Sequence, residues 1–324
     1  MLSKAVLTRA LRVLLLLLAL GFCAYSLASQ WDETVRAFRQ MSWWTVVGAF
    51  AFGVAGAFAW MLGWRAFLSG LGSPLPVQAT FRINAISQLG KYVPGKVWAL
   101  LTQIEMTREL KVPRLRSFSS TMLAIATSCA VGLALAAVTL PLTSDAARNR
   151  YWWLFVLAPV LLAALHPRIV TWFLNTALRL VRRPPLEHPV GLGTTLVAVA
   201  WTLLGWVLYG LHLWMLCAAV GGDGAGLAFQ ATGAYALAFV VGLLVFIAPG
   251  GLGAREAAMV MVLGPVLPSG GPILVALASR VLLTLVDLGL AGVAFVMGRA
   301  IKRALQQEGA QAGEAGEREV SAPQ

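Results

Sequence analysis

The chain has 324 residues, of which 59% are hydrophobic and 12% are charged, and its formal net charge is +12. Soluble domains carry about a quarter charged residues, so this composition excludes a water-soluble globular protein. Long continuous apolar runs favour membrane-spanning helices and exclude a transmembrane β-barrel, whose strands are short and alternate in polarity. The sequence therefore predicts an all-α, polytopic transmembrane helical protein.

The basic residues fall in the segments between apolar runs. In a membrane protein such clusters set orientation and attract anionic headgroups, so we do not expect nucleic-acid binding. Cys23, Cys129 and Cys217 each lie within an apolar run, and none has the CxxC spacing of a metal or redox site. We therefore expect no metal and no cofactor.

The first apolar run follows a basic N-terminus and reaches about residue 28. Residues 26–28 also fit a signal-peptidase site. The run is long enough to span a bilayer, so we interpret it as an uncleaved first helix.

Seven apolar runs are long enough to predict spans, and an eighth is shorter. The seven cover residues 11–29, 43–64, 118–140, 151–166, 192–219, 228–248 and 273–298, and the shorter run covers residues 257–267.

The distribution of Lys and Arg predicts the side of each loop. Arg82 and the basic cluster from Arg108 to Arg116 both belong inside, with no outside loop between them. Residues 83–104 must therefore enter the membrane and return, with Pro94 and Gly95 at the tip of a re-entrant hairpin, because Pro interrupts a helix and Gly permits reversal.

The same count places both termini in the cytoplasm if residues 257–267 cross the membrane. The prediction is then about eight spans plus at least one re-entrant hairpin. Residues 169–180 are predicted to lie along the interface as an amphipathic helix. Residues 1–303 form a single transmembrane domain, and residues 304–324 form a disordered polar cytoplasmic tail.

Two apolar segments are interrupted in a similar way, GKYVPGKVW at 90–98 and PGGLGARE at 249–256. Paired Gly/Pro-broken segments indicate a mid-membrane substrate site in transporters. The alternative is that both are turns at the membrane surface.

In the second segment, Gly250, Gly251 and Gly253 provide successive backbone N–H groups, and a half-helix beginning near Ala254 would point its positive end at them. The guanidinium of Arg255 suits a phosphate. Glu256 fits either a functional role or a favourable contact with the helix dipole.

In the first segment, Lys96 lies beside the Pro94–Gly95 break and is the candidate substrate contact. Trp98 is a candidate interfacial anchor. Lys91 is predicted to extend to the headgroups as an anchor.

Arg280 and Asp287 fall inside the last span, seven residues apart and therefore on nearly the same helix face. Charges at such depth face a cavity or a partner, and we expect Arg280 to pair with Glu256. A role in holding helices together and a role in substrate binding both remain open. Three uncharged polar residues before the break line the same cavity or cap helix ends: Asn84, Ser87 and Gln88.

The three histidines are scattered along the chain, and no metal, nucleotide or acyl-transfer motif accompanies them. We therefore expect that the chain is not an enzyme.

The two broken segments, in this order within a multi-span hydrophobic chain, resemble the flippase-like integral membrane family. This family includes the membrane region of lysylphosphatidylglycerol synthase, the multiple peptide resistance factor. The resemblance covers most of residues 5–300 and implies a lipid translocase with re-entrant helices. The soluble aminoacyl-transfer domain of the fused relatives has no counterpart in this sequence, so a synthase activity is not implied.

Two functions follow as hypotheses. The first is a lipid flippase of the bacterial cytoplasmic membrane, which moves a polar phospholipid or aminoacylated lipid between leaflets. The alternative is an accessory membrane subunit that moves nothing and docks a separate lipid-modifying enzyme on the basic segments 105–117 and 167–190. An intramembrane transferase is disfavoured because no acid–base pair is visible.

Overall fold

The computed structural model describes residues 41–93, 97–141, 154–163, 190–224, 226–244 and 253–320, together with the single positions 39, 169, 172 and 176. Throughout these residues the regular structure is helical, and none of them lies in a β-strand. The predicted all-α fold is therefore confirmed.

The described α-helices are numbered here in chain order. They are α1 (Trp43–Gly70), α2 (Val77–Gln88), α3 (Val97–Glu109), α4 (Arg114–Thr139), α5 (Leu154–Ala163), α6 (Leu192–Ala219), α7 (Leu227–Leu244), α8 (Ala254–Leu263) and α9 (Gly271–Val320), and a 3₁₀ turn (Leu89–Tyr92) follows α2.

Among the described residues, five helical stretches are long and apolar enough to cross a membrane: α1, α4, α6, α7 and residues Gly271–Gly298 of α9. They agree with five of the predicted spans. The predicted span at 11–29 lies outside the described residues, and that at 151–166 is described only as α5, which contains Pro159.

Helix α8 covers residues 257–263 of the short run 257–267 that was predicted to cross. Its ten residues are about 15 Å long, half the thickness of a hydrocarbon core. This helix alone does not cross, and the count of eight spans stays a prediction.

Helix boundaries follow local sequence signals. Pro76 precedes α2 and Pro113 precedes α4, at positions where a missing N–H is harmless. Helix α6 ends at Ala219 with Val220 as its C-cap residue, and Gly221 follows with φ of +88°, a conformation that glycine adopts without a Cβ clash.

Small residues bring the spanning helices into close contact. A Cβ atom added to Gly205 of α6 would lie 2.1 Å from the Trp60 ring of α1, and one added to Gly210 would lie 2.0 Å from Thr232 of α7. Lipid tails are as apolar as the helix surfaces, so the hydrophobic effect contributes little to helix association in a membrane. Close packing over small residues is therefore an important source of stability.

A buried histidine links three of these helices. His212 of α6 is fully buried, with Nδ1 2.8 Å from the Ala49 carbonyl oxygen of α1 and Nε2 3.0 Å from Ser279 Oγ of α9. Since a carbonyl oxygen only accepts, Nδ1 carries the proton and the Ser279 hydroxyl donates to Nε2. The residue thereby fixes α9 against the α1–α6 pair.

Helices α2 and α3 form the hairpin that the charge pattern predicts. They have 12 and 13 residues, about 18 and 20 Å, which is too short to span a bilayer. Gly90 allows the contact between the arms, because a Cβ there would lie 2.4 Å from the main-chain nitrogen of Ala99. The 3₁₀ turn ends at Tyr92 and α3 is described from Val97, and the re-entry of this hairpin into the membrane stays a prediction.

Helix α9 continues beyond its apolar part as far as Val320. Its backbone includes residues 304–320 of the predicted tail, whose disorder stays a prediction.

Candidate functional site

A cavity of about 320 Å³ lies where the α2–α3 hairpin, the start of α8 and the middle of α9 meet the spanning helices. Its polar and aromatic lining comes from eight of the described helices and the 3₁₀ turn. These residues are Trp60, Trp64, Asn84, Gln88, Lys91, Tyr92, Gln103, Thr121, Ser128, Tyr209, Tyr235, Phe239, Arg255, Glu256, Arg280, Thr284 and Asp287.

Helix α2, which precedes the first broken segment, and the 3₁₀ turn contribute polar groups to the cavity. Asn84 and Gln88 line the cavity, as one of the two interpretations expected. Ser87 is absent from the lining, and its hydroxyl donates to the Asn84 carbonyl oxygen at 3.0 Å, which makes it a helix-end contact.

Lys91 corrects a prediction. The sequence indicated a headgroup anchor, whereas Lys91 Nζ lies 2.6 Å from Asp287 Oδ2 and the side chain lines the cavity. The pairing lowers the cost of the Asp287 carboxylate, of which only 11% is exposed. A partner far away in the sequence therefore turns Lys91 inward.

Tyr92 completes this group. Its hydroxyl donates to Asp287 Oδ2 at 2.5 Å and lies 3.4 Å from Thr284 Oγ1. The 3₁₀ turn thus places two donors on one carboxylate of α9, and this network fastens the hairpin to the last spanning helix.

The second broken segment forms the predicted half-helix. Helix α8 begins at Ala254, and Gly253 precedes it with φ of +80°. The Gly253 N–H donates to Glu256 Oε2 at 2.8 Å. Glu256 therefore caps the first turn of α8, where its negative charge lies at the positive end of the helix dipole, as the second interpretation expected.

Glu256 also has a second partner. Its Oε1 accepts a hydrogen bond from Arg280 Nη1 of α9, so the expected Arg280–Glu256 pair is confirmed. Both side chains are more than four-fifths buried. Arg280 and Asp287 line the same cavity, as their seven-residue spacing predicted.

Arg255 points away from its neighbour Glu256 and packs on α7. Its guanidinium carbon lies 4.8 Å from the centroid of the Tyr235 ring, a cation–π contact. Its Nη2 atom is buried and has no hydrogen-bond partner among the described residues. A buried charged donor in that state is costly unless a ligand occupies the cavity.

An aromatic wall that the sequence did not reveal supports Arg255. The Tyr209 and Tyr235 rings stack with centroids 5.0 Å apart, and Trp60 meets Tyr209 edge-on at the same distance. No local signal marks these residues, because aromatic side chains inside apolar helices most often only pack.

Apolar side chains complete the lining, among them Leu100, Ile125, Leu243 and Leu290. Ile125 of α4 is also 38% exposed. The cavity therefore has an apolar edge that includes an exposed side chain.

The remaining predicted site residues lie elsewhere or outside the described residues. Trp98 packs against Tyr92 and Val93 and is not part of the lining. Gly253 lies at the α8 start. Pro94, Gly95, Lys96, Gly250 and Gly251 fall outside the described residues, so their placement stays a prediction.

In a comparison with protein families, the lysylphosphatidylglycerol synthase TM region matches residues 9–291 of the chain. The matched range includes both broken segments, together with Arg280 and Asp287. A search of curated proteins finds no match.

Proposed function

Because the chain belongs to the family of the lysylphosphatidylglycerol synthase TM region, we propose that this multi-pass membrane protein is a lipid translocase. It moves a polar phospholipid or aminoacylated lipid between the leaflets of the bacterial cytoplasmic membrane. Both termini lie in the cytoplasm, and the chain acts without enzymatic chemistry of its own.

One observation carries the proposal: two Gly/Pro-broken segments, distant in sequence, line one cavity. Among the described residues, they contribute the charged side chains Lys91, Arg255 and Glu256, and α9 adds Arg280 and Asp287. Charges within apolar helices are costly and are characteristic of substrate pathways. Short or broken helices around such a cavity are typical of transporter binding sites. A lipid headgroup fits the polar part of the cavity.

The apolar edge supports a lipid in preference to a small soluble substrate. With a headgroup near Arg255, the acyl chains leave past Ile125, which lines the cavity and is 38% exposed. The tails then remain in the bilayer while the headgroup crosses.

The test is leaflet exchange of fluorescent phospholipids in proteoliposomes, measured by chemical quenching of the outer leaflet. We expect the wild-type protein to accelerate exchange. Arg255→Ala removes the buried donor, so we expect a reduction of roughly tenfold or more for the loss of a charge-assisted hydrogen bond. Arg108→Ala is the matched control, because Arg108 is half-exposed and pairs with Glu105 outside the cavity.

Unchanged exchange by a well-folded Arg255→Ala variant would contradict the site. Absence of exchange by well-folded wild-type protein would contradict translocation. Co-purification of a lipid-modifying enzyme would then favour the accessory role.

A further inference from the structure

The charged residues of the cavity are unequal in number. Among the described residues that line it, three are basic (Lys91, Arg255 and Arg280) and two are acidic (Glu256 and Asp287). One positive charge remains without an acidic counterpart. The question is which residue carries it, and what it binds.

Both carboxylates already have cationic partners. Asp287 pairs with Lys91 at 2.6 Å and accepts from the Tyr92 hydroxyl. Glu256 pairs with Arg280 and accepts from the Gly253 N–H. An ammonium group that entered the cavity would have to displace a lysine or an arginine from its carboxylate.

Arg255 carries the excess charge. Its contact is the neutral Tyr235 ring, and no described residue accepts a hydrogen bond from its buried Nη2. Residues 94–96 and 245–252, which adjoin the cavity in sequence but are not described, contain Lys96 and no Asp or Glu. These segments therefore cannot supply the missing carboxylate.

We propose that the cavity selects a lipid whose headgroup carries one net negative charge, a phosphodiester without an amine, over zwitterionic and aminoacylated lipids. This inference rests on the proposed translocase function. The phosphodiester oxygens accept from Arg255, and the Lys91–Asp287 and Arg280–Glu256 pairs stay intact. An aminoacylated headgroup brings an ammonium group for which no described carboxylate is available.

The experiment compares three lipids with the same acyl chains and the same acyl-chain fluorophore in proteoliposomes. They are phosphatidylglycerol, phosphatidylethanolamine and lysyl-phosphatidylglycerol. All three lipids offer a phosphodiester to Arg255, but only the other two bring an ammonium group that stays without a carboxylate in the cavity. We therefore expect phosphatidylglycerol to exchange about tenfold faster than the other two, the ratio that one unpaired charged group supports.

Two variants test the charge argument. Arg255→Gln removes the excess charge, so the ratio should fall towards one. Lys91→Gln releases the Asp287 carboxylate, so exchange of phosphatidylethanolamine should rise relative to phosphatidylglycerol. Arg108→Gln removes an exposed cation outside the cavity and should leave the ratio unchanged.

The outcomes separate the two proposals. Equal exchange of all three lipids, or faster exchange of the lysyl lipid, overturns the charge selection and leaves translocation standing. If well-folded protein exchanges none of them, translocation is overturned. The ratio of phosphatidylglycerol to phosphatidylethanolamine retained in mild detergent then tests the selection. A ratio in the protein equal to that in the membrane overturns it.

Discussion

Lys91 Nζ and Asp287 Oδ2 lie 2.6 Å apart, which joins the end of the α2–α3 hairpin to the middle of the last spanning helix. The two side chains differ in exposure: 38% of the Lys91 side chain is exposed, whereas only 11% of the Asp287 side chain is exposed. The pair therefore compensates the buried carboxylate while its cation stays within reach of solvent or headgroups.

The Lys91–Asp287 pair should behave as a coupled unit. Asp287→Asn removes the negative charge but keeps the size of the side chain. We expect the free energy of unfolding to fall by about 1 kcal/mol, at the lower end for a charged hydrogen bond because Lys91 is partly exposed. Thermal unfolding in detergent measures this change. Lys91→Met with Asp287→Asn should recover part of the loss, because neither charge is then left alone.

Glu105→Gln is the matched control for this pair. Glu105 also accepts from arginines, Arg108 and Arg114, but at the exposed α3–α4 turn. We expect it to change stability by less than Asp287→Asn. Strict additivity of the two cavity substitutions would contradict the coupling.

Glu256 has two structural tasks that two substitutions separate. Glu256→Gln keeps an oxygen for the Gly253 N–H and removes the charge opposite Arg280, whereas Glu256→Ala removes both. We expect Glu256→Gln to lower the free energy of unfolding by about 1–3 kcal/mol, since the Arg280 cation is then buried without its anionic partner. Glu256→Ala should lower it by a further ~1 kcal/mol, because the helix cap is also lost. Equal losses for the two variants, measured by thermal unfolding, would show that the cap contributes nothing.

Gly90 should tolerate no side chain. An added Cβ would meet the main chain of Ala99, which cannot rotate away as a side chain can. We expect Gly90→Ala to destabilise the protein by about 1–3 kcal/mol and to impair lipid exchange, because the hairpin arms must separate. Gly289→Ala in α9 is the control, since nothing lies within 4 Å of its added Cβ. Similar midpoints of thermal unfolding for the Gly90→Ala and Gly289→Ala variants would contradict the close contact at Gly90.

Lys111 is strained at the turn between α3 and α4. Its φ is +62°, the one positive value among the described non-glycine residues. Lys111→Gly should raise the free energy of unfolding by roughly 1 kcal/mol, because glycine adopts this conformation without the Cβ clash. Leu110→Gly, one residue earlier, should give no gain. Thermal unfolding measures this change. A lower unfolding midpoint for Lys111→Gly than for the wild type would show that the backbone strain is absent or that the lysine side chain contributes to stability.

The sequence predicted the positions of the helices better than the side-chain contacts between them. Apolar runs located the five long spans, and the repeated basic clusters located the α2–α3 hairpin, because hydrophobic length and charge placement are local properties. The α8 start at Ala254 and the Arg280–Glu256 pair were also predicted. Lys91 was assigned to the headgroups because an isolated lysine near a membrane surface usually extends there.

The division between sequence and tertiary structure follows from the range of each interaction. The sequence by itself determined that the chain is helical and membrane-spanning, where its helices break, and that Arg280 and Asp287 share a face, since each depends on residues a few turns apart. Only the tertiary structure decided that Lys91 pairs with Asp287 and that Arg255 turns towards Tyr235 while Glu256 turns towards Arg280. Adjacent residues on a helix project about 100° apart, so their partners depend on which helices pack on either side.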